Sequence, residues 1–448
     1  MSVVGVGRIG RDQTLTVAGL GGIALAVAAA IWATSHLSYD IWGGLVVAPV
    51  LLALSLPLVA RVARVEPDPR VVRLVMWGLV FKLAASFGRY LLTFALYDRA
   101  DAVAYSQAGA ALAGLFRQGI FVFDLGKPLM GTGFIEVVTG VVYTFTGPTL
   151  LGGFLVFSWL AYWGLYCFYR AFRIAYPDGD GVRYALLLFF LPSLLFWPSS
   201  LGKESWMLFT LGVSTYGIAR VLTHRASGYP LLCLGLLGVT MVRPHMSALL
   251  CCGMVFGYLA RRSPAERSHF GPVTRVVGMA VLLALSVVII TQAERFFGVE
   301  GQGTAESVDT VLAYTQQQST QGGSEYETAP VRSPIALPAA IVTVLFRPFP
   351  FEARNAQSLI ASAEGLALLG LVAISLPRLA TLLSQLRRNP YLIFAALYSL
   401  LFIVAFSHVG NFGILTRQRA QLFPLALVFL ALPIPMVATQ ANRRRVRN

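Results

Sequence analysis

Charge is scarce in this sequence: only 12% of its 448 residues are Asp, Glu, Lys or Arg, and the acidic ones number 20 against 35 basic. Too few charges are present to clothe a soluble globule of this length, so a soluble fold is excluded. No Walker A run and no dinucleotide-binding glycine fingerprint occurs, which leaves ATP-driven transport and Rossmann chemistry without support. The four cysteines, Cys167, Cys233, Cys251 and Cys252, lie within apolar runs and lack metal-ligand spacing, so they read as packing residues.

What the chain has instead is apolar length. Hydrophobic residues make up 56% and the mean hydropathy is +0.70. A hydrocarbon core of about 30 Å takes roughly 20 residues of helix. Runs of that kind begin near Thr14, Ile41, Val72, Leu150, Tyr184, Trp206, Tyr229, Met246, Val273, Gln357, Pro390 and Gln418. The expected fold is all-α: a polytopic integral membrane helical bundle of about twelve spans, forming a single transmembrane domain over residues 1–448. The first run reads as a span rather than a cleavable signal, because no small-residue cleavage site follows it and Asp40 leads into another apolar run. Glycine-rich stretches such as Gly19 to Gly22 suit close helix packing.

Positive charge orients the spans. Arg61, Arg64 and Arg70, then Arg170, Arg173 and Arg183, Arg220 and Arg225, Arg261, Arg262, Arg267 and Arg275, Arg378, Arg387 and Arg388, and Arg443, Arg444 and Arg445 mark the basic segments. Basic loops stay cytoplasmic, so both termini are expected inside a cell's inner (plasma) membrane. The formal net charge of +15 is then mainly a topological signal and a contact with anionic membrane lipids, with no nucleic-acid partner implied.

The opposite face receives residues 98–133, the turns 199–204 and 243–245, the long stretch 293–352, and 408–419. Two external loops are expected there, 97–148 with interfacial helices and 293–352 with a re-entrant segment. Residues 107–117 are too short and mixed to cross, and suit a helix lying along the interface. Segments 134–147 and 334–350 are apolar, yet counting either as a crossing breaks the charge pattern, so both are expected to dip in and return. Polar runs such as Gln316 to Ser324 suit a loop that closes over a site or a solvated linker.

Asp98 and Asp101 stand three residues apart, which on a helical turn puts both carboxylates on one side. Such a pair suits a divalent cation or a general base, and equally suits helix N-caps. Lys203 with Glu204, and Arg243 with His245, sit at helix mouths where an ammonium, guanidinium or imidazole can meet a bound phosphate; a snorkelling side chain is the plainer alternative for either turn alone. Arg347, Arg417 and Arg419 fall on the same face. Cations held against the positive-inside bias at several mouths point to a polyanion. Lys82 and Arg89 share one face of the third run, and Glu364 lies in a late one. Intramembrane charges face a cavity or pair with one another.

With these residues in view the chain resembles the GT-C superfamily, the multi-span glycosyltransferases that use polyprenyl-phosphate sugars, and in particular its actinobacterial-type members. The residues that carry the resemblance are Asp101-Ala102-x-x-Tyr105, Leu191 to Trp197 followed by Lys203-Glu204, Arg243-Pro244-His245, and Arg417-x-Arg419. The resemblance implies a polyprenyl-phosphate sugar donor, Asp101 as general base with Asp98 as companion or metal partner, and Tyr105, Lys203, Glu204, Arg243, His245, Arg347, Arg417 and Arg419 as substrate contacts. It implies no certain cofactor beyond a possible divalent cation. The acidic pair is less compact than the family's, and two extra spans precede it. Two other functions fit the same sequence. A polysaccharide polymerase or ligase of the O-antigen type needs the arginines and not Asp101. A transporter or flippase for a lipid-linked anion needs Lys82, Arg89 and Glu364 along a central path and a weak internal repeat, and no convincing repeat is seen.

Overall fold

The structure, a computed structural model, describes residues 38–96, 101–123, 126–261, 280, 287, 291–292, 326, 331 and 333–434. Among the described residues it is all-helical, with no β-strand. In chain order the helices are α1 (Tyr39–Val65), α2 (Pro69–Leu96), α3 (Asp101–Arg117), α4 (Phe134–Thr146), α5 (Leu150–Ala175), α6 (Gly181–Phe190), α7 (Pro192–Phe196), α8 (Lys203–Leu222), α9 (Gly228–Thr240) and α10 (Pro244–Leu259). They continue with α11 (Leu337–Phe346), α12 (Ala356–Ile374), the short α13 (Leu376–Leu379) and α14 (Leu382–Leu386), then α15 (Pro390–Phe406), α16 (Phe412–Gln418) and α17 (Phe423–Ala426).

Five described segments are long and apolar enough to cross a membrane: Tyr39–Val65, Pro69–Thr93, Leu129–Thr146, Leu150–Ala175 and Ala356–Ile374. Four coincide with the runs read near Ile41, Val72, Leu150 and Gln357. The fifth was expected only to dip, and its backbone leaves the helix at Met130 (ψ 142°) and Gly131 (φ 85°), so the regular helix α4 has 13 residues. Of the remaining expected spans, the run near Trp206 forms the continuous 20-residue α8, and the others are shorter or broken. α9 has 13 residues and α10 has 16, about 20 and 24 Å at 1.5 Å per residue. α6 stops at Leu191, whose extended backbone precedes Pro192. The run from Thr14, Gly19 to Gly22, and all but residues 280, 287 and 291–292 of the run from Val273 lie outside the described residues.

Hydrogen bonds sort the helix ends into two groups. At one end Tyr169 donates to Glu66, Asn389 to the Ala175 carbonyl, Arg183 to Ser375, and Arg261 to the Val221 carbonyl. Arg378 bridges Asp180 and the Leu432 carbonyl there. This is where most of the arginines of the basic segments gather. At the other end Asp40 accepts from the Leu150 N–H, the Gly131 N–H meets the Met241 carbonyl, and Lys203 meets Thr132.

Between the ends, α5 and α8 run parallel and touch backbone to backbone. A β-carbon on Gly212 would lie 2.1 Å from the Gly164 carbonyl oxygen, so only glycine lets these helices approach. α3 and α4 are also parallel: Gly109 abuts Thr139, Gly140 abuts Leu112, and Arg117 donates to the Tyr143 carbonyl. Parallel neighbours require the connection 118–133 to return the whole length of α3. That return sets Thr132 beside Tyr105 and Lys203.

The three charges expected inside the membrane do not pair with one another. Lys82, fully buried, donates to the carbonyls of Leu194 and Leu195 at 2.6 and 3.2 Å. Glu364 accepts from the backbone N–H of Ser193 at 2.7 Å and from its hydroxyl. The break at Pro192 frees backbone groups at both ends of α7, and one charge of suitable sign answers each end. Arg89 instead stacks on Phe196 and Trp197, 4.6 and 5.1 Å from the ring centres.

Candidate functional site

Five separate stretches of chain bring polar side chains together at the end opposite the arginine-rich one. Glu204, in the first turn of α8, is the centre. Its Oε1 lies 3.3 Å from Arg243 Nη2 and 3.2 Å from Arg417 Nε. Arg243 precedes Pro244 at the start of α10, and its other branch donates to Gln418. Gln418 also accepts from Gln421 at 2.7 Å. Arg417 reaches past Glu204 to Asp101, the first residue of α3, at 3.9 Å. Lys203 donates to Thr132 at 2.9 Å, and Thr132 shares a hydrogen bond with the Tyr105 hydroxyl.

Exposure grades this cluster from floor to rim. The side chains of Arg243 and Glu204 are 11% and 14% exposed, Arg417 is 34% exposed and Asp101 72%. Among the described residues three cations face two carboxylates here, one positive charge in excess. Burial alone would raise the Glu204 carboxyl, but Arg417, Arg243 and Lys203 outweigh it and hold the group at about 2. Burial and then the neighbouring Arg243 push the Lys203 ammonium below its ordinary value. Burial, with Asp101 and Glu204 adding to it, lifts Tyr105 to about 12. His245 is driven down to about 3 by burial and by Arg243, so its imidazole is neutral at the mouth.

Two residues expected at this site stand elsewhere. Arg419 is fully buried and donates to the carbonyls of Leu345 and Arg347 at 3.3 and 2.8 Å, with Glu364 3.7 Å away. Positions 417 and 419 are separated by about 200° on a helix, so when one faces the mouth the other faces the interior. Arg347 is held by Glu352, with Nε to Oε1 at 2.9 Å, and lies over the rings of Tyr326 and Phe412 at 4.7 and 5.1 Å. Asp98 lies outside the described residues, as do Gln316 to Ser324. Among the described residues no group of three or more His, Cys, Asp or Glu side chains is gathered to hold a metal ion.

Thr132 and Gln418 were not read from the sequence. Thr132 sits between two glycines at the end of the external stretch 98–133, and Gln418 lies between two arginines that drew attention from it.

Between α2, α7 and α12 lies an apolar pocket of about 410 Å³. Ala85 and Leu92 of α2, Pro192, Ser193 and Leu195 to Trp197, and Ala356, Gln357, Ile360, Ala361 and Glu364 of α12 surround it. The α12 positions descend one face of that helix from its first residue, a depth of about 12 Å. No family model, curated protein or solved structure matches the chain.

Proposed function

We propose that the chain is a membrane glycosyltransferase of the GT-C type, moving a sugar from a polyprenyl-phosphate donor to a cell-envelope glycan, lipid or protein acceptor on the extracytoplasmic side. The observation that carries this reading is Arg417 bridging partly buried Glu204 and exposed Asp101 with Arg243 alongside: a cationic floor with a carboxylate at its rim. The arginine-rich end is then cytoplasmic, as are both termini.

In this reading Asp101 takes the proton from the acceptor hydroxyl while that oxygen bonds to the anomeric carbon. The bond from that carbon to the phosphate oxygen breaks, and its electron pair leaves on the lipid phosphate. Arg417, Arg243 and Lys203 stabilise the departing charge. Tyr105 and His245, both neutral, contribute shape and hydrogen bonds rather than charge. Arg347 and Arg419 take no part in binding.

One observation favours the polymerase or ligase reading instead: the arginines are tightly organised while Asp101 is held at a single long contact of 3.9 Å. The transporter reading is weaker, since Lys82 and Glu364 answer the backbone of α7. Sugar transfer from a panel of polyprenyl-phosphate donors decides between them, comparing the purified protein with Asp101→Asn and Arg417→Ala at equal folded yield. Loss of activity by roughly 10²- to 10⁴-fold in both variants is expected. Retained activity in Asp101→Asn discards the base, and no use of any donor discards the transferase.

A further inference from the structure

The two carboxylates on Arg417 differ in how firmly they are held. Glu204 is nearly buried, shared between two guanidiniums and fixed at the first turn of α8. Asp101 is mostly exposed, meets only one guanidinium branch at 3.9 Å, and sits at the first position of α3. Exposed pairs at that distance contribute little and break readily. A guanidinium, by contrast, binds a phosphate through two well-placed hydrogen bonds.

We infer that Asp101 is an exchangeable ligand of Arg417: a phosphodiester arriving at the mouth takes its place on the guanidinium, while Glu204 stays and keeps Arg243 and Arg417 aimed at the newcomer. The exchange rests on the proposed function only for its consequence. Phosphate binding frees Asp101 at the rim at the moment an acceptor hydroxyl needs a base. Without donor the carboxylate and solvent share the outer branch of the guanidinium.

The geometry fits a swap at the rim rather than at the floor. Removing Glu204 would leave the nearly buried Arg243 and the partly exposed Arg417 without their shared partner, whereas Asp101 turns into solvent. The exchange asks for no movement of α8, α10 or α16.

The test uses dibutyl phosphate, a soluble phosphodiester, bound to the full chain in lipid nanodiscs and followed by phosphorus-31 line broadening. Asp101→Asn removes the competitor, so affinity should rise about 3- to 10-fold. The same change made on Arg417→Gln should give no rise, because the contested guanidinium is gone. Glu204→Gln should weaken binding. Equal or weaker binding in Asp101→Asn overturns the exchange, as does a rise that persists undiminished in the Arg417→Gln background, which marks a general charge effect. Absence of binding by both the unaltered protein and Asp101→Asn overturns it as well. The transfer assay fails separately: tighter binding without sugar transfer keeps the exchange and removes the transferase, while transfer with unchanged binding does the reverse.

Discussion

Glu204, partly buried, and Glu364, buried, are two glutamates served by arginines from one short stretch of chain. Glu204 meets Arg417, and Glu364 meets Arg419. Around Glu364 every partner is buried: Arg419 is 0% exposed, and Ser193 supplies both its N–H and its hydroxyl. Around Glu204 the partners step outward to Arg417 and then to Asp101 at the rim. The same ion-pair chemistry thus makes a staple in one place and a reachable site in the other. Accessibility, rather than residue type, separates them.

The sharpest way to break this comparison is to remove one arginine from each. Arg419→Met strands Glu364 in the interior and leaves the Leu345 and Arg347 carbonyls without their donor, and losing one partner of a buried pair costs about 3–5 kcal/mol. Thermal unfolding of the purified protein should show a large drop in melting temperature, or the folded yield should collapse. Arg417→Met, half open to solvent, should change melting temperature little. Equal drops in both would show that the mouth is as structural as the interior.

That contrast also shows what the sequence could carry. Apolar runs located four of the five long segments, because hydrophobic length is a local property. The cluster was legible in part: Asp101, Lys203, Glu204, Arg243 and Arg417 were each read as mouth residues and do converge. Arg419 was read alongside Arg417 because spacing alone gives no view of which helix face is inward. Arg347 was read as a free cation because Glu352, Tyr326 and Phe412 meet it only in the folded chain. The break at Pro192 was visible, yet its demand on Lys82 and Glu364 depends on packing between distant helices.

A smaller effect tests whether Lys82 belongs with the staple. Its ammonium answers two carbonyls of α7. Lys82→Met should destabilise the protein by about 1–3 kcal/mol, the range for leaving buried acceptors unsatisfied, and should leave phosphate binding at the mouth unchanged. A loss of binding at unchanged stability would instead revive a transport role for the intramembrane charges.

The mildest test is titration, and it separates residues within the mouth itself. His245 is neutral in the fold, with its imidazole held down to about 3 against an ordinary value of 6.5. As pH falls below about 6.5, the unfolded chain takes up a proton that the folded chain refuses. Stability is therefore lost progressively from that pH downward, until the folded imidazole also protonates. Glu204, held at about 2 against 4.5, adds stability that is complete above its ordinary value and fades only as pH falls from 4.5 toward 2. Between pH 6.5 and 4.5 the melting temperature should therefore decline through His245 and not through Glu204. His245→Gln should flatten that decline, whereas Glu204→Gln should leave its slope intact and flatten only the fall at lower pH. If His245→Gln and the unaltered protein share one slope across this window, the imidazole is not sealed at the mouth. The floor of the cluster would then be as open to solvent as its rim, and the graded site on which both the binding and the exchange depend would be lost.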